Sequence, residues 1–379
     1  MTRHIAAHHP LRLSRILWSA TAVVILGILT YTVYVGFEAS RQAVSVDENR
    51  DRDCRTPMTR YGWPYEAINY PITDDATLAA ANPNMEECAN QGGGAGDDVV
   101  TSDGVPIAGW YIPAADGSDA SAPTVMLVHG FTSDKSGDLP YAIGLHEHFN
   151  LVAFDERNSG RSGGTQTTAG VLEQNDVRAM VDWVERVKRP DHVGLFGVSM
   201  GAAAVLAAAG HDPRIEAVAL DSMHTRIVYQ FEQRLEKHGH PAYPGTWATF
   251  IGAWLRTGTW LSGVDPADTI AAMGERPIML THGTADDEDL PERTQAFFDD
   301  ALAAGRTIEL HWCDGAKHAQ VDDVCGDDLA QWLSDFFTRN LAQRGTGQDR
   351  RLRTYAAAVR RLHPPTLYAA LDAERRSAG

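Results

Sequence analysis

Cysteine is scarce in this sequence. There are four among 379 residues, Cys54, Cys88, Cys313 and Cys325, and none falls in a C-x-x-C pair, which argues against a structural zinc site. No glycine-rich phosphate loop, dinucleotide fingerprint or fixed-period repeat is present, so neither the motifs of nucleotide chemistry nor a solenoid is indicated. Positive charge is also short: 33 Lys and Arg stand against 50 Asp and Glu, a formal net charge of −17. That balance argues against a nucleic acid or an anionic surface as partner of the main body. What remains is a globular composition, 44% apolar and 22% charged, long enough for one large α/β domain with appendages.

One charge-free stretch stands out. Ile16 to Phe37, 22 positions, would span roughly 33 Å as a helix, enough to cross a bilayer core. It is longer than the apolar region of a cleaved signal peptide, and Phe37-Glu38-Ala39-Ser40 makes a poor cleavage site. Arg3, Arg12 and Arg15 precede it, while Glu38, Asp47, Glu48, Asp51 and Asp53 follow it. The positive-inside rule then predicts an uncleaved anchor, with a cytoplasmic N-terminus and the remaining chain outside. Trp18, Tyr31 and Tyr34 lie toward its ends, where aromatics favour the interface. In that compartment the cysteines can pair. Cys54–Cys88 and Cys313–Cys325 are the local choices among three connectivities, with free buried thiols as the alternative.

The expected organisation follows from composition. Residues 1–15 form a cytoplasmic segment, 16–37 the anchor, and 38–96 a stalk and collar ending in the glycine-rich joint 91–96. A catalytic domain is expected over 97–342. The tail 343–379 carries eight arginines and reads as helical from Arg351 to Glu374. Such a helix can lie on an anionic membrane or dock on the acidic body. Within the central domain, residues 99–112 read as a hairpin. Strands are expected at 124–128, 151–154, 192–196, 215–220, 277–281 and 307–312, with a helix over 172–188. Strands and helices alternate at βαβ spacing, which predicts a mostly parallel sheet with helices on both faces.

In such sheets the working residues collect at the carboxyl ends of strands, where His129, Asp155, Ser199, Asp221 and His282 all stand. Ser199 lies in Gly197-Val198-Ser199-Met200-Gly201, between an apolar strand and the alanine-rich helix 202–209 that Gly210 stops. Strand, sharp turn and helix is the setting of a nucleophile elbow, whereas the bland reading is a Gly/Ser turn between buried elements. A serine hydroxyl needs a base, and a histidine base needs a carboxylate to orient it. His318, in the loop after the last predicted strand, is the candidate base. The acid is sought in His282-Gly283-Thr284-Ala285-Asp286-Asp287-Glu288-Asp289-Leu290-Pro291.

These motifs, with Leu127-Val128-His129-Gly130-Phe131, residues 155–164 and Asp212-Pro213-Arg214-Ile215, resemble the α/β-hydrolase superfamily over about residues 97–342. The flavour is that of membrane-anchored bacterial members related to serine aminopeptidases and small esterases. The resemblance implies the α/β-hydrolase fold, with a helical cap inserted at 222–275, behind one N-terminal transmembrane helix. It implies Asp286 as triad acid when counted from His282-Gly283, whereas the proline of the loop would select Asp287. His282, and the group Asp155, Arg157 and Asn158, become structural, and Asp221 is a lesser alternative acid. The oxyanion donors are the N–H groups of Met200 and, by resemblance, Phe131.

The insertion of about 54 residues between Asp221 and Arg276 is rich in histidine, with His224, His238 and His240, and in aromatics, among them Tyr229, Phe231, Tyr243, Trp247, Phe250, Trp254 and Trp260. They either line a substrate pocket or form the core of the cap. His238-Gly239-His240 is a weak metal pattern that reads better as a polar turn. The resulting expectation is a membrane-tethered serine hydrolase acting on a small-molecule acyl ester, or a thioester or amide, with no metal or organic cofactor and no nucleic-acid partner. A non-catalytic scaffold of the cell envelope on the same fold is the competing expectation.

Overall fold

The computed structural model describes residues 10–45, 56–68, 99–118 and 120–342. Cys54, Cys88, the joint 91–96, the arginine-rich tail, and residues 75–81 of the collar, which read from the sequence as a helical patch, lie outside them.

The first helix, α1 (Pro10–Val44), is the one described helix long and apolar enough to cross a membrane. Its apolar side chains from Leu17 to Tyr34 are exposed. A stalk was expected from residue 38. Instead the helix continues to Val44, and Val35, Ser40 and Val44 are buried against the rest of the protein. Glu38 and Arg41 read as a break in the hydrophobic run. In the structure they pair with each other on the open side of the helix at 2.7 Å, and a different side of the same helix is packed.

Eight strands form one sheet in the order β1-β2-β4-β3-β5-β6-β7-β8: β1 (Glu66–Ile68), β2 (Gly109–Ile112), β3 (Thr124–Val128), β4 (Asn150–Phe154), β5 (Val193–Val198), β6 (Ile215–Asp221), β7 (Ile278–Gly283) and β8 (Ile308–Cys313). The pairs β1/β2 and β2/β4 are antiparallel, and the other pairs are parallel. Two expectations are corrected here. The collar supplies the edge strand β1, so the sheet starts before residue 97. The hairpin expected at 99–112 shrinks to a bridge between Val100 and Pro106, and β2 pairs instead with β1 and β4.

Strands β3, β4 and β5 are buried over their whole length and read as continuous apolar runs, as strands covered on both faces must. On one face lie α2 (Glu173–Val187) and α3 (Met200–His211). Val177, Met180, Val181 and Val184 of α2 recur at helical spacing and join the core beneath. Between β6 and β7 run the cap helices α4 (Ile227–Lys237) and α5 (Ala242–Thr257). Helix α6 (Pro291–Ala303) follows β7, and α7 (Val321–Phe337) packs through Leu329, Leu333, Phe336 and Phe337 on the opposite face from α3. A third, small core joins Val44 of α1 to Ile227 and Phe231 of α4 and to Phe250 and Ala253 of α5. The cap is therefore the insertion plus the end of α1.

Candidate active site

Ser199 is the residue where β5 becomes α3. Its backbone has φ 50° and ψ −111°, a left-handed conformation that a residue with a β-carbon adopts only under constraint. The constraint comes from close packing on both sides. A β-carbon on Gly197 would sit 2.7 Å from the Gly201 carbonyl oxygen, and one on Gly201 would run into the carbonyls of Val128 and His129. The Ser199 N–H donates to the Asp221 carbonyl at 2.8 Å, which pins the turn to the end of β6.

The hydroxyl faces His318. Ser199 Oγ and His318 Nε2 are 2.8 Å apart, and His318 Nδ1 is 2.9 Å from Asp286 Oδ2. The other oxygen of Asp286 accepts the backbone N–H groups of Glu288 and Asp289, each at 2.9 Å. Three elements hold His318 in place. The N–H of Ala319 donates to Ser222 Oγ at 3.1 Å, and the N–H of Ala285 donates to the Ala316 carbonyl at 2.9 Å. The Cys313–Cys325 disulfide ties the end of β8 to α7 across the intervening loop.

Between the two acids of the loop, the geometry favours Asp286. Asp287 points outward and pairs with Lys237 at 2.8 Å. His282 is buried, donates from Nε2 to the Asp289 carbonyl at 2.8 Å and receives Thr294 Oγ1 at 3.3 Å, so it braces the acid-bearing loop. Burial works against a charged His318, but the hydrogen bond and charge of Asp286 outweigh it and push its pKa up to about 9. Burial likewise pushes Asp286 upward, and the hydrogen bond and charge of His318 bring it below the ordinary carboxylate value. Asp289, whose carboxylate is 3.9 Å from His318 Nδ1, is raised by burial to about 7.

The other strand-end residues have structural partners. His129 is buried, with Nδ1 2.8 Å from the Gly130 carbonyl and Nε2 accepting the Glu156 N–H at 3.0 Å. Asp155 takes the backbone N–H of Lys135 at 2.9 Å and that of Arg161 at 2.8 Å, and forms an ion pair with the Lys135 ammonium. Arg157 is held between Asp103 and Asp176, each at 2.7 Å, and Asn158 occupies a turn at φ 60°. Asp221 accepts Thr281 Oγ1 at 2.6 Å, and among the described residues no hydrogen bond joins it to His318, whose Nδ1 is 2.9 Å from Asp286.

A cavity of about 470 Å³ opens at Ser199. Phe131 and Met200 line it beside the serine. Met200 is the first residue of α3, so its N–H has no acceptor within the helix and lies at the positive end of the helix dipole. A β-carbon on Gly130 would be 3.5 Å from that of Ser199, so the chain entering Phe131 passes directly against the serine. Ile227 and Phe231 of α4 and Ala43 of α1 form an apolar wall. Asp138, Asp322, Asp323 and Glu288 also contribute, and the Tyr141 hydroxyl donates to Asp322 at 3.1 Å.

One residue of this cavity was named in the sequence only as one of the histidines of the insertion, without a role of its own. His224 is buried there, and among the described residues neither ring nitrogen has a hydrogen-bond partner. Burial lowers its pKa to about 4, so it presents a neutral imidazole. It stands three residues past β6, within reach of the strand-end rule that singled out Asp221. His238 and His240 do not form a metal site. His238 Nδ1 lies 2.8 Å from the Arg234 carbonyl, His240 Nδ1 lies 2.6 Å from the Tyr31 hydroxyl, and no metal-ligating cluster occurs among the described residues.

Known proteins agree with this architecture. A family model of the alpha/beta hydrolase fold matches residues 123–255, from β3 through the elbow into the cap. A solved esterase of Pyrococcus furiosus, Pf2001, superimposes with a TM-score of 0.59 over 78% of this chain and 98% of its own, at 21% identity. The chain has the α/β-hydrolase fold. A second solved structure, Est1E of Butyrivibrio proteoclasticus with ferulic acid bound, gives a TM-score of 0.50 at 16% identity, over 62% of this chain and 98% of that one. Among curated sequences, the uncharacterized protein YfhR of Escherichia coli K12 is 26% identical over 72% of this chain and 88% of its own length. YfhR of Salmonella typhi is 32% identical over 49% of this chain and 62% of its own.

Proposed function

We propose that the protein is a membrane-tethered serine hydrolase that cleaves an acyl ester through a covalent acyl-enzyme. The observation that carries this reading is the continuous hydrogen-bonded line from Ser199 Oγ through His318 to Asp286 at the floor of a cavity roofed by the cap. Neutral His318 takes the proton of Ser199 as Oγ bonds to the ester carbonyl carbon. The N–H groups of Phe131 and Met200 donate to the developing oxyanion. The tetrahedral intermediate collapses, the alcohol leaves with the proton from His318, and Ser199 holds the acyl group. Water then attacks with His318 again as base, releasing the carboxylic acid and restoring the serine. Asp286 keeps the His318 tautomer and stabilises the imidazolium.

Tethering is supported by the length and exposure of α1 and by the arginines that precede its apolar stretch. The Cys313–Cys325 bond supports an extracytoplasmic catalytic domain, since such bonds persist in oxidising compartments. A second reading, cleavage of an amide or ester whose acyl part carries an amine, is favoured by the acidic wall. The carboxylates of Asp322, Asp323 and Glu288 would attract a cation and repel an anionic substrate.

The test is fluorophosphonate labelling of the full chain in detergent, read by peptide mapping. A single adduct on Ser199, absent in His318→Ala, is expected. A well-folded protein that stays unlabelled would turn the reading toward a non-catalytic scaffold. Matched neutral, cationic and anionic esters then separate the two substrate readings.

A further inference from the structure

Helix α5 has three faces. Thr246, Thr249, Phe250 and Ala253 are buried in the cap. Ala248, Gly252 and Arg256 lie along α1. A β-carbon on Gly36 would be 2.5 Å from that of Ala248, and one on Gly252 would be 2.5 Å from Ser40 Oγ. Arg256 donates to Ser40 Oγ at 3.2 Å and stands 4.2 Å over the Phe37 ring. Small residues four apart on each helix thus allow backbone-to-backbone contact, the packing that helices use within bilayers.

The third face is bare. Trp247, Ile251, Trp254 and Leu255, with Tyr243 just before them, are 49–78% exposed, and the first four fall within a sector of about 100° around the helix. The contacts of Gly36 with Ala248 and of Ser40 with Gly252 set the two helices side by side, running the same way. In that register Tyr243 and Trp247 stand level with Tyr31 and Val35, within the apolar stretch of α1, and Ile251, Trp254 and Leu255 stand level with residues 39–43, just beyond it, with Tyr34 and Phe37 exposed alongside. A contiguous apolar face rich in tryptophan and tyrosine, fixed beside a helix long enough to span a membrane, has the chemistry of an interfacial element.

We propose that this face of α5 rests in the membrane leaflet adjoining the catalytic domain, so that the cap sits on the bilayer and the Ser199 cavity receives esters of membrane-dissolved long acyl chains. The proposal rests on the reading of α1 as an anchor and of Ser199 as nucleophile. It is supported by continuity: Phe250 and Ala253 share the small cap core with Ile227 and Phe231, which wall the cavity, and Ala43 of α1 lines it too. One layer of apolar side chains thus separates the leaflet from the acyl site.

The experiment uses the full chain reconstituted in phosphatidylcholine vesicles containing a phosphatidylcholine with brominated acyl chains, which quench nearby tryptophan. The expected result is strong quenching, most of it lost in Trp247→Phe/Trp254→Phe, with the remainder lost on adding Trp18→Phe. The companion variant Trp247→Gln/Leu255→Gln is expected to hydrolyse a long-chain ester dispersed in the vesicles about tenfold more slowly, with a water-soluble short ester cleaved within about twofold of the parent. Quenching that depends on Trp18 alone would overturn the proposal and leave the anchor intact. A dimer that the Gln variant converts to monomer, with Trp247 silent to brominated lipid, would assign the face to a second copy and also overturn it. Absence of all quenching, with the chain washed from vesicles by carbonate, would remove the anchor reading itself. A parent inactive on the short ester would remove the hydrolase reading.

Discussion

Helices α1 and α3 are both apolar, and they end in opposite surroundings. Helix α3 carries no Asp, Glu, Lys or Arg and is buried from Met200 to Ala209. Helix α1 carries none between Arg15 and Glu38, and its side chains from Leu17 to Tyr34 are exposed. Apolar composition says that water is excluded and leaves open what excludes it. Length is the first discriminator, since α3 spans about 18 Å, too short for a hydrocarbon layer of about 30 Å, and α1 about 52 Å. Glycine is the second. Where α3 meets the sheet, Gly201 is crowded by β3, whereas Gly27 of α1 has nothing within 4 Å. Only at Gly36, where α1 reaches the cap, does its packing become as tight.

The sharpest way to test the role of α3 is at its cap. Ser199→Ala should lower kcat on a soluble ester by about 10⁴-fold or more, with the thermal midpoint unchanged. Retention of a tenth of the activity would remove Ser199 as nucleophile.

Asp286→Asn is expected to cost about 10³-fold in kcat, and Asp287→Asn less than about twofold. Equal losses would mean that the exposed Asp287 swings inward. The same pair bears on pH. Only neutral His318 can act as base, and its pKa is raised to about 9, so activity should fall as pH drops through that value. In Asp286→Asn the residual activity should fall at lower pH, nearer the ordinary histidine value, and an unmoved profile would show that another group titrates.

One substitution made at three places then tests the helix comparison directly. Gly201→Val should destabilise the domain by about 3 kcal/mol or more through overpacking, and Gly36→Val by about 1–2 kcal/mol. Gly27→Val, in open space, should leave the thermal midpoint within measurement error. A destabilising Gly27→Val would mean that α1 is packed where it is bare here.

A smaller effect on activity than at Ser199 or Asp286 is expected of His224→Ala. It should raise KM several-fold while kcat changes little, because the buried imidazole faces the cavity and lies apart from the Ser199–His318–Asp286 line. A fall in kcat with KM unchanged would place His224 in the chemistry.

The sheet was legible because β3 to β5 are apolar runs and β6 to β8 are rich in apolar residues, all alternating with helices. The line of Ser199, His318 and Asp286 was legible because each residue is flanked by a short motif at a strand end. β1 was not legible: Glu66-Ala67-Ile68 is three residues without a period, and pairing with Tyr111, Trp110 and Gly109 is what makes it a strand. The cap aromatics were read as pocket or core. Phe231 and Phe250 fit those roles, whereas Trp247 and Trp254 face outward, a choice made by which side of α5 meets α1.

The sequence by itself therefore determined the elements, their order and the strained turn at Ser199, because these depend on local propensity, hydrophobic period and glycines placed where backbones must approach. Tertiary structure alone decided that Asp286 rather than Asp287 faces His318, that His224 enters the cavity, and that α1 continues past Phe37 to complete the cap. Those outcomes depend on which surfaces meet across long stretches of chain, and adjacent residues with the same chemistry carry no local record of that choice.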